Sequence, residues 1–97
     1  MVLTLETAKQ LSERKWEVMS NQDGNDYNIE ELVPELEGMI NECAMCEFIM
    51  VQSEKECKDC RYESHVCWGV YADYVNNKCA STSKRVLEAI KEENAKI

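Results

Sequence analysis

The chain has 97 residues, 19 acidic and 11 basic, giving a net charge of −8 at neutral pH. That length predicts one domain spanning residues 1–97, burying roughly 60–70% of its extended surface with a thin stability margin. No apolar run reaches the ~20 residues of a membrane span, and the acidic balance disfavours nonspecific contact with nucleic acid.

Met1–Lys9 (MVLTLETAK) has neither the basic start nor the apolar stretch of an export signal. The expected compartment is therefore a reducing cytoplasm, where thiols bind metal or stay unpaired. Only three Gly and one Pro, among many Glu, Lys, Leu and Ala, predict an all-α fold of three to four helices.

Residues 4–19 read as an amphipathic helix. Leu5, Ala8, Leu11, Trp16, Val18 and Met19 fall in one arc of roughly 160° at ~100° per residue. Thr4 is the expected N-cap, and the polar run Asn21–Asp26 ends the helix. Asn28 then caps a second helix, with Glu31 in a capping-box position. Its buried stripe is Ile29, Leu32, Val33, Leu36, Met39, Ile40 and Cys43. Pro34 allows two arrangements, a kink or a short turn over 28–33 before a main helix starting at Pro34, and the second is preferred. Cys43 and Cys46 then occupy the last turns of that helix.

A polar loop over 52–56 leads to Cys57 and Cys60. Helical spacing resumes at Cys67, with Cys67, Val70, Tyr71, Tyr74 and Val75 as the inward face. Trp16, Trp68, Tyr71 and Tyr74 are expected in or beside the core. Asn76-Asn77 breaks this helix, Ser81-Thr82-Ser83 caps a final one, Val86, Leu87 and Ile90 pack inward, and 91–96 fray.

The cysteines carry the most chemistry. Cys43-Ala44-Met45-Cys46 and Cys57-Lys58-Asp59-Cys60 are two C-x-x-C pairs, and Cys67 follows. A two-residue spacer lets one stretch of backbone turn two thiolates toward a common point, as a tetrahedral soft-metal site requires. The expected ligands of a structural zinc are Cys43, Cys46, Cys57 and Cys60, with Cys67 a substitute for Cys57. An iron–sulfur cluster takes the same donors. Were the chain exported, six cysteines would instead form three disulfides. A thioredoxin-like dithiol needs its C-x-x-C near the start of a helix beside strands, which the expected late-helix position does not give. His65 is expected in a solvent-facing loop and Cys79 as a small buried side chain.

A closed four-thiolate site leaves no position for a metal-bound water. No phosphate-cradling glycine loop, Ser/His/Asp set or paired carboxylates stand out either, so the expectation is a protein that is not an enzyme.

Charge is uneven. No Lys or Arg lies between Lys15 and Lys55, a stretch holding Glu17, Asp23, Asp26, Glu30, Glu31, Glu35, Glu37, Glu42, Glu47 and Glu54. Lys58, Arg61, Lys78, Lys84, Arg85, Lys91 and Lys96 follow. The acidic stretch is either a solvated helix face or a surface that attracts a basic partner.

In order along the chain, Lys15-Trp16, the acidic linker, Cys43-Ala44-Met45-Cys46-Glu47, Cys57-Lys58-Asp59-Cys60, Cys67, and Tyr71 with Tyr74 resemble a set of small cysteine-rich bacteriophage and prophage proteins, most of unknown function. Arg61 stands where that group commonly has Pro, so the second knuckle departs from its pattern. The resemblance implies a zinc-binding phage accessory protein in the host cytoplasm, and no activity.

Three functions follow as expectations. The first is a non-enzymatic zinc-stapled protein that binds and modulates a host protein. The second is a nucleic-acid-binding or transcription-associated zinc protein using Lys78, Lys84, Arg85 and Lys91. The third is a thiol redox or metal sensor using Cys67 or Cys79.

Overall fold

The computed structural model describes residues 3–22, 29–39, 43–56, 60 and 62–96. Among them every regular element is helical, in agreement with the all-α expectation. Helix α1 spans Leu5–Asn21, α2 Ile29–Leu32, α3 Ala44–Cys46, α4 Tyr71–Asn76 and α5 Ala80–Lys96. A 3₁₀ turn covers Pro34–Leu36, and π-type turns cover Glu47–Gln52 and Glu63–Val70.

The first helix follows its hydrophobic pattern. Thr4 caps it as expected, its hydroxyl accepting from the Thr7 N–H at 3.1 Å. Ala8, Leu11, Trp16 and Met19 are buried. Against them lies α5, through Val86, Ala89 and Ile90, and this pair forms the main packing interface. Trp16 meets Tyr71 and Tyr74 edge-on, at centroid distances of 5.8 and 4.9 Å. Full burial of such side chains stabilises by about 1.5–3 kcal/mol each.

Three expectations need correction. The long helix starting at Pro34 does not form. Pro34 does take the first helical position, but the turn it opens ends at Leu36, and Gly38 follows at φ +80°. Glycine reaches that left-handed conformation at no steric cost, so it stops a helix where other residues would continue it. Ile29, Val33 and Leu36 are still buried, while Leu32 faces solvent. Asn28, Ile40 and most of the predicted 21–26 turn lie outside the described residues.

The second correction concerns the helix after Cys60. Val66, Val70 and Tyr74 face inward, and Cys67, Trp68, Tyr71 and Val75 face out. An i→i+5 turn, seen in the Cys67 N–H bonding the Tyr62 carbonyl at 2.8 Å, shifts the facing of later residues relative to a pure α count.

Third, residues 91–96 remain helical, with Glu93 and Asn94 buried. The Asn94 amide donates to the Glu13 carboxylate at 2.8 Å and the Lys9 carbonyl at 3.3 Å, pinning the end of α5 to the first half of α1. The break at Asn76-Asn77 is where the sequence put it. Helix α5 begins at Ala80 with Thr82 as its cap partner, its hydroxyl accepting from the Cys79 N–H at 3.2 Å and donating to the Asn77 carbonyl at 2.6 Å.

Candidate metal centre

Gly38 ends the preceding turn, so the first C-x-x-C opens a new helix instead of closing an old one. Cys43 has extended backbone (φ −123°, ψ 110°) and occupies the N-cap of α3, with Cys46 in its first turn. This corrects the expected late-helix position. The Cys43 sulfur accepts the Cys46 backbone N–H at 3.4 Å.

The two thiols are shifted in opposite directions. A hydrogen bond from Cys46 is the largest cause that lowers the Cys43 thiol from its ordinary 9.0 to about 6; burial opposes it, and the Cys46 N–H, the Lys15 charge and the Met45 N–H assist. The same bond pushes the Cys46 thiol well above its ordinary range. Burial adds to this, then the charges of Cys43, Cys67 and Cys60. Those last contributions place Cys43, Cys60 and Cys67 within electrostatic reach of Cys46.

Tyr62 ties this region to the helix pair. It is buried two residues past Cys60, and its carbonyl accepts the Val66 and Cys67 N–H groups at 2.9 and 2.8 Å. Its hydroxyl donates to the Asn94 side-chain oxygen, and Asn94 in turn holds Glu13 and Lys9. Burial raises the Tyr62 phenol above its ordinary value, so it remains a donor at neutral pH.

Set against the expected ligands, the structure brings Cys43 and Cys46 together, and the charges of Cys60 and Cys67 reach Cys46. Cys57 lies outside the described residues. Among the described residues no three Cys, His, Asp or Glu side chains are near enough to share a metal ion. What fits zinc is the donor chemistry, a thiolate already favoured near neutral pH beside a second thiol. What the described residues do not show is a third sulfur joined to the first two.

The remaining candidates are elsewhere. His65 is exposed, on the π-type turn of 63–70 and not in a loop, in a shallow groove of about 200 Å³ with Val70, Arg85, Glu88, Ala89 and Glu92. Cys79 is not a buried side chain. It sits half-exposed before α5, its sulfur 3.4 Å from the Ser81 hydroxyl and 3.5 Å from that of Thr82. Those two side chains, with their backbone N–H groups, lower its thiol to about 7.

The acidic stretch is anchored by buried Ile29, Val33 and Leu36, which leave Glu30, Glu31 and Glu37 exposed. Glu35 differs, because the Arg14 guanidinium bonds it at 2.9 Å and also reaches the Leu32 carbonyl at 3.4 Å. This cation, from just before the basic-free stretch, was not anticipated in the sequence. On α5, Lys84 and Lys91 share one face, but Glu88 and Glu92 alternate with them at helical spacing.

No protein-family model, curated protein or solved structure matches the chain. No helix among the described residues is long and apolar enough to cross a membrane.

Proposed function

We propose that this chain is a non-enzymatic, zinc-binding helical protein that acts in the cytoplasm by binding another protein through its acidic segment. The carrying observation is the trio of exposed carboxylates, Glu30, Glu31 and Glu37, held outward by the buried Ile29/Val33/Leu36 anchor. Concentrated like charge speeds association with a surface of opposite sign. The phage-like cysteine order makes a host protein the proposed partner and phage accessory factor the proposed role. The zinc reading has Cys43 and Cys46 as one ligand pair, with Cys60 and either Cys57 or Cys67 completing the set. Bound there, zinc supplies cross-linking and no open coordination position.

The test is capture of partners from bacterial lysate by the wild-type protein and by Glu30→Lys/Glu31→Lys/Glu37→Lys. Glu35 is spared because reversing it sets two cations against each other at Arg14. The triple variant should keep wild-type helicity, lose captured protein and lose the salt dependence of capture. Unchanged capture, with loss only on reversal of Lys84 and Arg85, moves the function to a nucleic-acid-binding reading. That alternative is weakened by Glu88 and Glu92 lying among the basic residues.

A second reading is favoured by one observation. With Cys43 capping a helix, the pair has the placement a dithiol oxidoreductase uses. In that chemistry the Cys43 thiolate attacks a protein disulfide and releases one thiolate. The Cys46 thiolate then attacks the mixed disulfide, releasing the second thiol and leaving Cys43–Cys46 oxidised. Thiol titration with and without chelator separates the readings, since zinc ligands gain reactivity on chelation and an unmetallated dithiol does not change.

A further inference from the structure

Cys43 caps α3 and Cys46 closes its first turn, with their side chains in contact. The Cys46 thiol donates to the Cys43 sulfur, which also accepts the Cys46 backbone N–H at 3.4 Å. The turn between them is held by the core, since the spacer residues Ala44 and Met45 are each buried. Both cysteines are half-buried, and Cys43 packs against that same core. The pair is therefore open to an oxidant of a few atoms, whereas a disulfide carried on a folded protein is too bulky to align with the Cys43 sulfur. Cys79 differs, because its sulfur contacts the Ser81 and Thr82 hydroxyls at the start of α5.

We infer that Cys43 and Cys46 form a redox switch that a hydroperoxide closes as a disulfide and a thiol reductant reopens. The Cys43 sulfur attacks one peroxide oxygen, the O–O bond breaks, and the other oxygen leaves as hydroxide, giving a sulfenic acid. The Cys46 sulfur then attacks the Cys43 sulfur, the S–O bond breaks, and a second hydroxide leaves. Two electrons pass from the sulfurs to the peroxide, and the two thiol protons end in water. The contact between the side chains puts the resolving sulfur beside the one that is first oxidised, so the sulfenic acid is captured before further oxidation.

The consequence for the protein rests on the zinc reading proposed above. A metal takes thiolates, and a disulfide sulfur carries no such charge. Closing the switch removes Cys43 and Cys46 from the set and releases the ion, so the staple becomes sensitive to oxidant. The helix pair is spared, because Tyr62 still bonds Asn94 and Asn94 still bonds Glu13 and Lys9.

The sequence supplies a clean assay. Trypsin cuts after Lys15 and Lys55 with no site between, and the resulting peptide 16–55 holds Cys43 and Cys46 as its two cysteines. Purified protein is treated with stoichiometric hydrogen peroxide, free zinc is followed with a metallochromic dye, and alkylated tryptic peptides are weighed. The expected result is peptide 16–55 unalkylated and lighter by two hydrogens, with zinc lost from the protein and regained after thiol reductant and added zinc. Cys46→Ser should instead leave a Cys43 sulfenic acid that dimedone traps, and Cys79→Ser should behave as wild type. Metal-free protein that still forms the disulfide within 16–55 supports the switch and removes the zinc reading. Zinc-loaded protein whose metal and thiols survive the peroxide keeps the zinc reading and overturns the switch. So does a disulfide joining 16–55 to another peptide, or a pair oxidised faster by a folded protein's disulfide than by hydrogen peroxide.

Discussion

At Cys43, three hydrogen bonds and a nearby cation lower an ordinary thiol from 9.0 to about 6, and Cys46 bears the opposite shift because it donates the thiol hydrogen bond that Cys43 accepts. The consequence for stability has a definite sign. A thiol that ionises more easily when folded contributes stability that is present in full above the unfolded value near 9, and lost as pH falls through about 6. The metal-free protein should thus gain stability from about pH 6 to 9, and Cys43→Ser should flatten that rise. Above pH 9 the raised Cys46 thiol reverses the trend, since the unfolded chain then releases a proton the folded one retains. Chemical denaturation across this range, beside the thiolate ultraviolet absorbance, checks both limbs.

Tyr62 makes a separate residue-level claim. Its hydroxyl is the donor that satisfies buried Asn94. Tyr62→Phe should cost about 1–3 kcal/mol, because the Asn94 oxygen is left buried without that partner. A denaturation midpoint equal to wild type would show that the network does not couple the cysteine segment to the helix pair.

Individual elements show why some of this fold was legible in the sequence and some was not. Helix α1 was readable because a cap, an unbroken 3.6-residue period and a polar terminator agree. The segment after Asn28 was not, because its apolar stripe runs straight through Pro34 and Gly38. The stripe continues in spacing although the helix does not. Gly38 was the available signal, and its position just past a short helical turn marks a stop. Gly38→Ala should cost about 1–2 kcal/mol from backbone strain, since nothing lies within 4 Å of the added methyl group. Urea unfolding measures this directly, and a stability equal to wild type would remove the strain argument.

The same logic explains the candidate site. Spacing grouped Cys43 with Cys46 correctly, but not at which end of a helix, because that depended on Gly38. The exposure of Trp68 was hidden by the π-type turn over 63–70, which rotates the helix against α counting, so that Val66 turns inward while Cys67, Tyr71 and Val75 turn out, and Val70 and Tyr74 stay on the inward face. Cys79 was misplaced because its flanking hydroxyls were read as helix caps alone, and they also hold its sulfur at the surface.

For the molecule as a whole, two long helices supply the packed core, and the cysteine-bearing middle joins it through Tyr62, Met45 and Val66. A chain of 97 residues has little core to spare, and a zinc bound by four thiolates contributes about 10–16 kcal/mol of apparent free energy in small domains. Cys43→Ser and Cys60→Ser should each lower the melting temperature severely, by removing one ligand of the proposed zinc site. Cys79→Ser should change it little, since that side chain is half-exposed at the start of α5. Equal melting temperatures for the three variants would detach Cys43 and Cys60 from any shared site.

The most direct test of the zinc staple is elemental analysis of the purified protein, paired with circular dichroism before and after chelation. About one zinc per chain, with helicity falling when the metal is withdrawn, is the predicted result. Metal-free protein whose helicity is indifferent to chelator, with its cysteines paired in disulfides, would contradict it.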